Sequence, residues 1–191
     1  MQVLKDDVRN SILDAAIDEF YENGYKDASI RKIAHTAGTT PGNIYAYFSS
    51  KLNLFEEILS QIVSLVNDTA RNFLLNADPR EVSVEMLTDE VASIFFQNQK
   101  QFMILMNGSE GTRYANYRSD FCDLIAERLL RDFPPLYDGT TPNDLALHAF
   151  SYGLVGGLFY IFRSYNGDEA QVRGAMTQLL GFLFKNLRKQ S

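Results

Sequence analysis

The segment Ser29 to Lys51, SIRKIAHTAGTTPGNIYAYFSSK, reads as two short helices joined by a tight turn. Ser29 is placed to cap the first, because a serine oxygen accepts a hydrogen bond from an orphan backbone N–H there. Ile30, Ile33, Ala34 and Ala37 recur at helical spacing and give that helix one apolar face. Gly38 ends it, since glycine enters the left-handed region at little steric cost. Thr39 or Thr40 caps the second helix. Pro41 follows at or near its first position, where a missing N–H costs nothing. Ile44 and Phe48 face inward, which leaves Asn43, Tyr45 and Tyr47 to point elsewhere. Helix, glycine-containing turn and short capped helix together make the sequence form of a helix-turn-helix.

Charge supports this reading. The window holds three cations (Arg31, Lys32, Lys51) and no Asp or Glu, whereas the whole chain is at −6. A carboxylate-free island in an acidic protein suits a surface that faces phosphates. The acidic total argues against a non-specific nucleic-acid coat and leaves room for a specific reader with a small basic face.

Three stretches carry a family resemblance: ILDAAIDEFYENGY (Ile12 to Tyr25), SIRKIAHTAG from Ser29, and TTPGNIYAYFSSKLNL (Thr39 to Leu54). Together they resemble the DNA-binding domain of the TetR family of bacterial transcriptional regulators. The resemblance covers roughly the first third of the chain. The remainder is similar only in length and helical character, as expected where the family's ligand-binding and dimerisation domain varies. The resemblance implies an all-α fold, with a three-helix helix-turn-helix domain over residues 1–51 and a helical ligand-binding and dimerisation domain over 52–191. It implies that Thr40, Pro41, Gly42 and Asn43 lie where the family reads bases, with Gly42 letting backbone approach closely. Asn43 would hydrogen-bond adenine, with either orientation of its amide left open. Arg31 matches a position that reaches a base, typically guanine. Tyr45, Tyr47 and Lys51 match phosphate contacts, and Ser29 adds one. Tyr47 replaces a histidine common in the family, and its phenol still donates to phosphate.

A first helix over about residues 5–23 precedes the motif. Val8, Ile12, Ala15, Ala16, Glu19, Phe20 and Tyr21 set its pattern, and Gly24 ends it. Its many acids make it a supporting helix, with Lys5 and Arg9 placed to reach a phosphate. After the motif, Ser50 caps a helix that meets no glycine or proline until Asp78-Pro79. At roughly 25 residues it spans about 38 Å and links the two expected domains. Further helices are expected over Val84 to Asn98, Tyr114 to Phe133, Asn143 to Arg163 and Asp168 to Lys189. Phe102 to Met106 is a short apolar segment, and Ser109 to Thr112 and Asp138 to Pro142 are loops. Lys185, Arg188 and Lys189 complement the dipole of the last helix.

The middle of the chain is aromatic, and most of these side chains are expected in a core. Apolar walls with a few polar anchors also make a small-molecule site, which the resemblance implies here. The candidates are Phe95, Asn98, Phe102, Met106, Arg113, Tyr117, Phe121, Tyr152 and Phe159. The last two helices carry more apolar surface than one side can bury. Phe150, Leu154, Leu158, Met176, Leu180 and Leu183 are candidates for a two-fold interface. Dimerisation follows also from function, since two recognition helices related by a two-fold axis read a palindrome.

The single cysteine, Cys122, excludes an internal disulfide and suits a reducing cytoplasm. No signal peptide is visible. The most apolar run, Ala149 to Phe162, is shorter than the ~20 residues of a membrane span. His35 and His148 lie far apart, so sequence neighbours form no metal cluster, and no cofactor is expected. Without a paired acid and base or a phosphate loop, an all-helical enzyme acting on a hydrophobic substrate is the weaker alternative. A regulator of the same fold acting through protein partners is the other. The reading is a homodimeric, cytoplasmic repressor that binds a palindromic DNA operator. A small, largely apolar or aromatic effector releases it.

Overall fold

The computed structural model describes residues 2–78, 81–132 and 143–188, with side chains described over 6–78, 81–131 and 143–182. Among the described residues every element is helical: α1 (Gln2–Asp27), α2 (Ile30–Thr36), α3 (Pro41–Tyr47), α4 (Lys51–Ala70), α5 (Val84–Gln97), α6 (Gln99–Asn107), α7 (Tyr117–Asp132), α8 (Asp144–Arg163) and α9 (Glu169–Arg188). Pro79, the expected helix end at Phe133, the Asp138–Pro142 loop and Lys189 lie outside the described residues. So do the side chains of Lys5, Leu183, Lys185 and Arg188.

The chain forms two compact units. The first joins the chain up to Leu65 with Asn98–Arg118, and the second joins Val66–Gln97 with the chain from Ser119 onward.

The first unit is built on aromatic and aliphatic packing. Ile12 and Phe20 of α1, Ile33 of α2, Ile44 of α3 and Leu54, Phe55 and Leu59 of α4 are fully or almost fully buried. Phe55 lies edge-on to both Phe20 and Tyr25, with ring centroids 5.0 Å apart in each case. Each such side chain contributes about 1.5–3 kcal/mol by leaving water. Ser50 caps α4 by accepting from Asn53 N at 3.0 Å, and Asn53 Oδ1 accepts from Ser49 N at 3.2 Å. Segment 98–118 belongs to this unit because α6 lies along α1. Phe102 to Met106 forms part of α6 rather than a separate segment, and α7 begins at Tyr117, three residues later than the apolar spacing predicts.

In the second unit, α4 passes at Arg71–Asn76 into a π-helical turn, closed by Ala77 N donating to Asn72 O at 3.0 Å. Arg128 of α7 satisfies the carbonyls freed there, donating to Leu74 O at 2.8 Å and Ala77 O at 2.7 Å. Unpaired C-terminal carbonyls otherwise need water or a cap. The core gathers Cys122, Ile125 and Leu129 of α7, Leu147, Leu154 and Val155 of α8, and Leu180 of α9. Phe95 of α5 stacks on Phe162 of α8 at 4.2 Å. A Cβ on Gly157 would lie 3.0 Å from Leu179, so glycine lets α8 and α9 approach closely.

One helix among the described residues, α8, is long and apolar enough to cross a membrane by length and composition. The run extends beyond Ala149–Phe162 because Leu145 and Leu147 continue it toward the N-terminus. Only 28% of its most apolar stretch is buried within the chain.

Candidate nucleic-acid interface

The helix-turn-helix is held by local hydrogen bonds that its sequence supplies. Ser29 Oγ accepts from Lys32 N and caps α2. Gly38, at φ 64°, lets Thr39 N turn back onto Ala34 O at 2.9 Å, closing the end of α2 as a Schellman-type turn. Of the two candidate caps for α3, Thr40 takes the role: its Oγ1 accepts from Asn43 N at 3.2 Å. Pro41 occupies the first helical position. Ile44 and Phe48 turn inward and are buried.

The opposite side is open. Pro41, Gly42 and Thr40 are exposed, and Asn43 and Tyr47 are half-buried. Tyr45 is 51% exposed. A Cβ placed on Gly42 would meet only Thr40 Oγ1, at 3.9 Å. Tyr47 lies tilted against Phe48, with ring centroids 6.5 Å apart. Arg31 is exposed on α2 and makes no ion pair among the described residues.

The other two cations of the window face the protein. Lys32 pairs with Glu19 at 2.8 Å and Glu22 at 3.3 Å, and these hydrogen bonds hold its ammonium above the usual lysine range. Lys51 donates to Ala28 O at 2.7 Å and Lys26 O at 3.1 Å and lies 4.8 Å above the Tyr25 ring. Burial lowers its pKa, against the pull of Asp27 and Glu19. Two of its three N–H groups therefore hold the α1–α2 elbow. Arg9 is engaged as well, with Glu57 at 2.6 Å and over the Phe48 ring. The charge count of the segment thus overstates what it presents to solvent, because acids of α1 reach into it.

Glu19 is the functional side chain that the sequence pattern concealed. It is 5% exposed, accepts from Ser29 N at 3.0 Å and receives Lys32, fixing the start of α2. The available signal was an acid on the inward face of an amphipathic helix.

The candidate effector residues divide between the units. In the first, Asn98, Phe102 and Met106 are buried. Arg113 pairs with Glu56 at 3.0 Å, donates to the Tyr114 phenol at 2.7 Å and covers its ring. Tyr117 is half-buried, and burial, then the neighbouring Tyr114, pushes its pKa up to about 12. In the second, Phe95 is buried in its stack with Phe162, and Phe121 packs on the core around Cys122. Phe159 is half-buried and Tyr152 is exposed.

The candidate interface residues divide by depth. Leu154, Met176 and Leu180 lie in the protomer's own interior, and Leu158 is half-buried. Phe150 is exposed, joined by Leu145, Tyr160 and Phe182. A Cβ on Gly153, Gly174 or Gly181 would meet nothing within 4 Å, so these turns of α8 and α9 face outward.

Comparison with known proteins bears on the same segment. The family model described as "Bacterial regulatory proteins, tetR family" matches residues 12–58. The chain is 38% identical over 61 residues to the fatty acid metabolism regulator protein of Bacillus subtilis, covering 30% of this chain and 31% of that one. It is 33% identical over 91 residues to the transcriptional regulator BetI of Escherichia coli, covering 48% and 46%. The chain thus spans a third to a half of the length of these curated relatives. Over its whole length it is similar to the solved structure of NalD, the secondary repressor of a multidrug efflux pump in Pseudomonas aeruginosa. That similarity has 27% identity, 98% coverage of each chain and a TM-score of 0.59.

Proposed function

We propose that the chain, whose residues 12–58 match the model of the tetR family of bacterial regulatory proteins, represses transcription by reading a palindromic operator as a homodimer, and that a small molecule releases it. The observation that carries this reading is the open face of a capped α3, free of carboxylates, on a turn closed by Gly38. Thr40, Pro41, Gly42 and Asn43 would meet base edges in the major groove, and Arg31 a further base. Ser29, Tyr45 and Tyr47 would bond phosphates, and Lys51 retains one N–H for the same purpose. Reading thus belongs to residues 1–51, and effector binding and dimerisation to residues 52–191. The protein would work in the cytoplasm, where its operator is.

The exposed apolar side of α8 and α9 supports a second copy as its cover. Without one, Tyr160 and Phe182, each more than 70% exposed, would stand in water. An apolar or aromatic effector fits the aromatic composition of residues 52–191. One regulator of similar fold holds a molecule with a long apolar chain: a FadR structure from Bacillus subtilis is in complex with stearoyl-CoA. The effector acts only through its differential affinity for two states of the dimer. A coupling of ~2–3 kcal/mol would lower operator affinity tens- to a hundredfold.

Selection of random duplexes by the purified protein at physiological salt tests the proposal. Salt matters because phosphate contacts alone give non-specific binding. An enriched palindrome is the expected result. No enrichment, after bound small molecules have been removed by unfolding and refolding, would sink it.

A further inference from the structure

We propose that Thr39 sets the base preference of the recognition helix by holding the Asn43 carboxamide in one orientation, so that it reads adenine. The inference rests on the DNA-reading function proposed above and names one of its specificity elements.

Asn43 Nδ2 donates to Thr39 Oγ1 at 2.8 Å, and both residues are half-buried. The backbone at each end of this bond is itself fixed. Thr39 is anchored by its own N–H on Ala34 O, at the turn where Gly38 takes φ 64°. Asn43 is anchored by its backbone N–H on Thr40 Oγ1. An unheld carboxamide can aim both of its N–H groups at two acceptors, as on guanine, or a donor beside its acceptor, as on adenine. Here one N–H is committed to Thr39. The carbonyl Oδ1 and the remaining N–H are left for the groove.

That remaining pair is one acceptor beside one donor. In the major groove adenine presents the complement, the N6 amino donor beside the N7 acceptor, whereas guanine presents two acceptors at N7 and O6. A guanine would set O6 against Oδ1, two acceptors with no proton between them. Space for a base edge exists alongside, since Gly42 carries no side chain and has open surroundings. Thr39 itself touches no base. It is a positioning residue that acts through Asn43.

The test is random-duplex selection with the full-length wild type and with Asn43→Ala, Thr39→Val and Thr39→Ser, each first verified as folded by its thermal melt. The wild type is expected to enrich a palindrome containing an adenine that Asn43→Ala alone erases, every other position persisting. Measured on single duplexes, replacing that adenine by guanine should weaken wild-type binding roughly 5- to 100-fold. Thr39→Val, which keeps the shape and removes the hydroxyl, should keep the palindrome and relax that same position. Thr39→Ser, which restores the hydroxyl, should restore the adenine. A Thr39→Val preference identical to the wild type overturns the positioning role. So does an Asn43-dependent position that selects guanine. Failure of the wild type to enrich any palindrome would instead overturn the DNA-reading function itself, and this inference with it.

Discussion

Gly24 and Gly108 meet backbone to backbone, 84 positions apart in the chain. A Cβ on Gly24 would lie 3.4 Å from Gly108 O, and one on Gly108 would lie 3.6 Å from Gly24 Cα. Next to this contact, Tyr25 N donates to Gly108 O at 2.8 Å. Gly24 sits at φ 67°, ψ 174°, a conformation open essentially to glycine alone. The pair joins the end of α1 to the end of α6. The ion pairs Lys26–Glu110, Lys100–Asp18 and Arg113–Glu56 flank it, all between exposed or half-exposed side chains.

Gly24→Ala should therefore destabilise the protein by about 1–3 kcal/mol, through backbone strain and the lost close approach. Removing any one of the flanking ion pairs should cost no more than about 1 kcal/mol, because exposed pairs are screened and entropically expensive. Urea denaturation of the four variants ranks them. If Lys26→Ala proved as damaging as Gly24→Ala, the junction would be electrostatic and this account wrong.

Arg31 and Lys51 look alike in the sequence, and their variants should behave oppositely. Arg31→Met removes an exposed side chain with no ion pair among the described residues, so stability should change by less than about 0.5 kcal/mol. Preference at one base of the operator should be lost, worth about 1–3 kcal/mol. Lys51→Met strips two charged hydrogen bonds from the carbonyls of Ala28 and Lys26, so the melting temperature should fall while every base preference persists. Melts and duplex selection run on both proteins decide the matter. A Lys51 variant of undiminished stability would contradict its clasp role.

The difference between those two cations marks where sequence reading stops. Ser29, Gly38, Thr40 and Pro41 are legible because caps and turns depend on neighbours within a few residues. Lys51 is not, because its partners are backbone carbonyls, which leave no trace in residue identity. Gly108 carries no mark of its partner in the sequence, and only that distant partner, Gly24, reveals why 98–118 belongs with the first unit. Glu19 was visible as an acid but not as the cap of another helix. On α8 and α9 the difficulty is different. α8 is apolar on most sides, and on α9 apolar residues such as Phe182 lie outside the buried row Val172, Met176 and Leu180, so spacing alone does not say which apolar side chains the chain buries and which it exposes.

That ambiguity gives a further pair of variants. Met176 is fully buried, and Met176→Ala should cost about 2–5 kcal/mol through lost burial and the cavity left behind. Phe182 is 72% exposed, and Phe182→Asp should leave the protomer's secondary structure intact while weakening self-association. Analytical ultracentrifugation across a dilution series reads the second effect. A Phe182→Asp protein with the wild-type assembly would exclude this side of α9 from the interface.

His148 gives the protein a pH dependence of known sign. Its Nδ1 lies 3.0 Å from the Asp144 carbonyl oxygen and 3.5 Å from the Asp144 carboxylate, and its Nε2 lies 3.9 Å from Asp123 of α7. The hydrogen bond to Asp144 is the largest cause raising its pKa above 6.5. Desolvation opposes it, and the charges of Asp144, Asp123 and Glu127 add to it. The folded protein thus holds the proton more tightly than the unfolded chain. The resulting stabilisation is fully present below the unfolded value of about 6.5 and is lost as pH rises through the higher folded value. His148→Gln, which keeps a donor for the Asp144 carbonyl and cannot become charged, should remove that dependence. Wild-type minus variant melting temperature should be positive at about pH 5.5 and shrink steadily toward about pH 8.5. A difference that stays constant across this range would mean that His148 serves only as a neutral hydrogen-bonding group on α8.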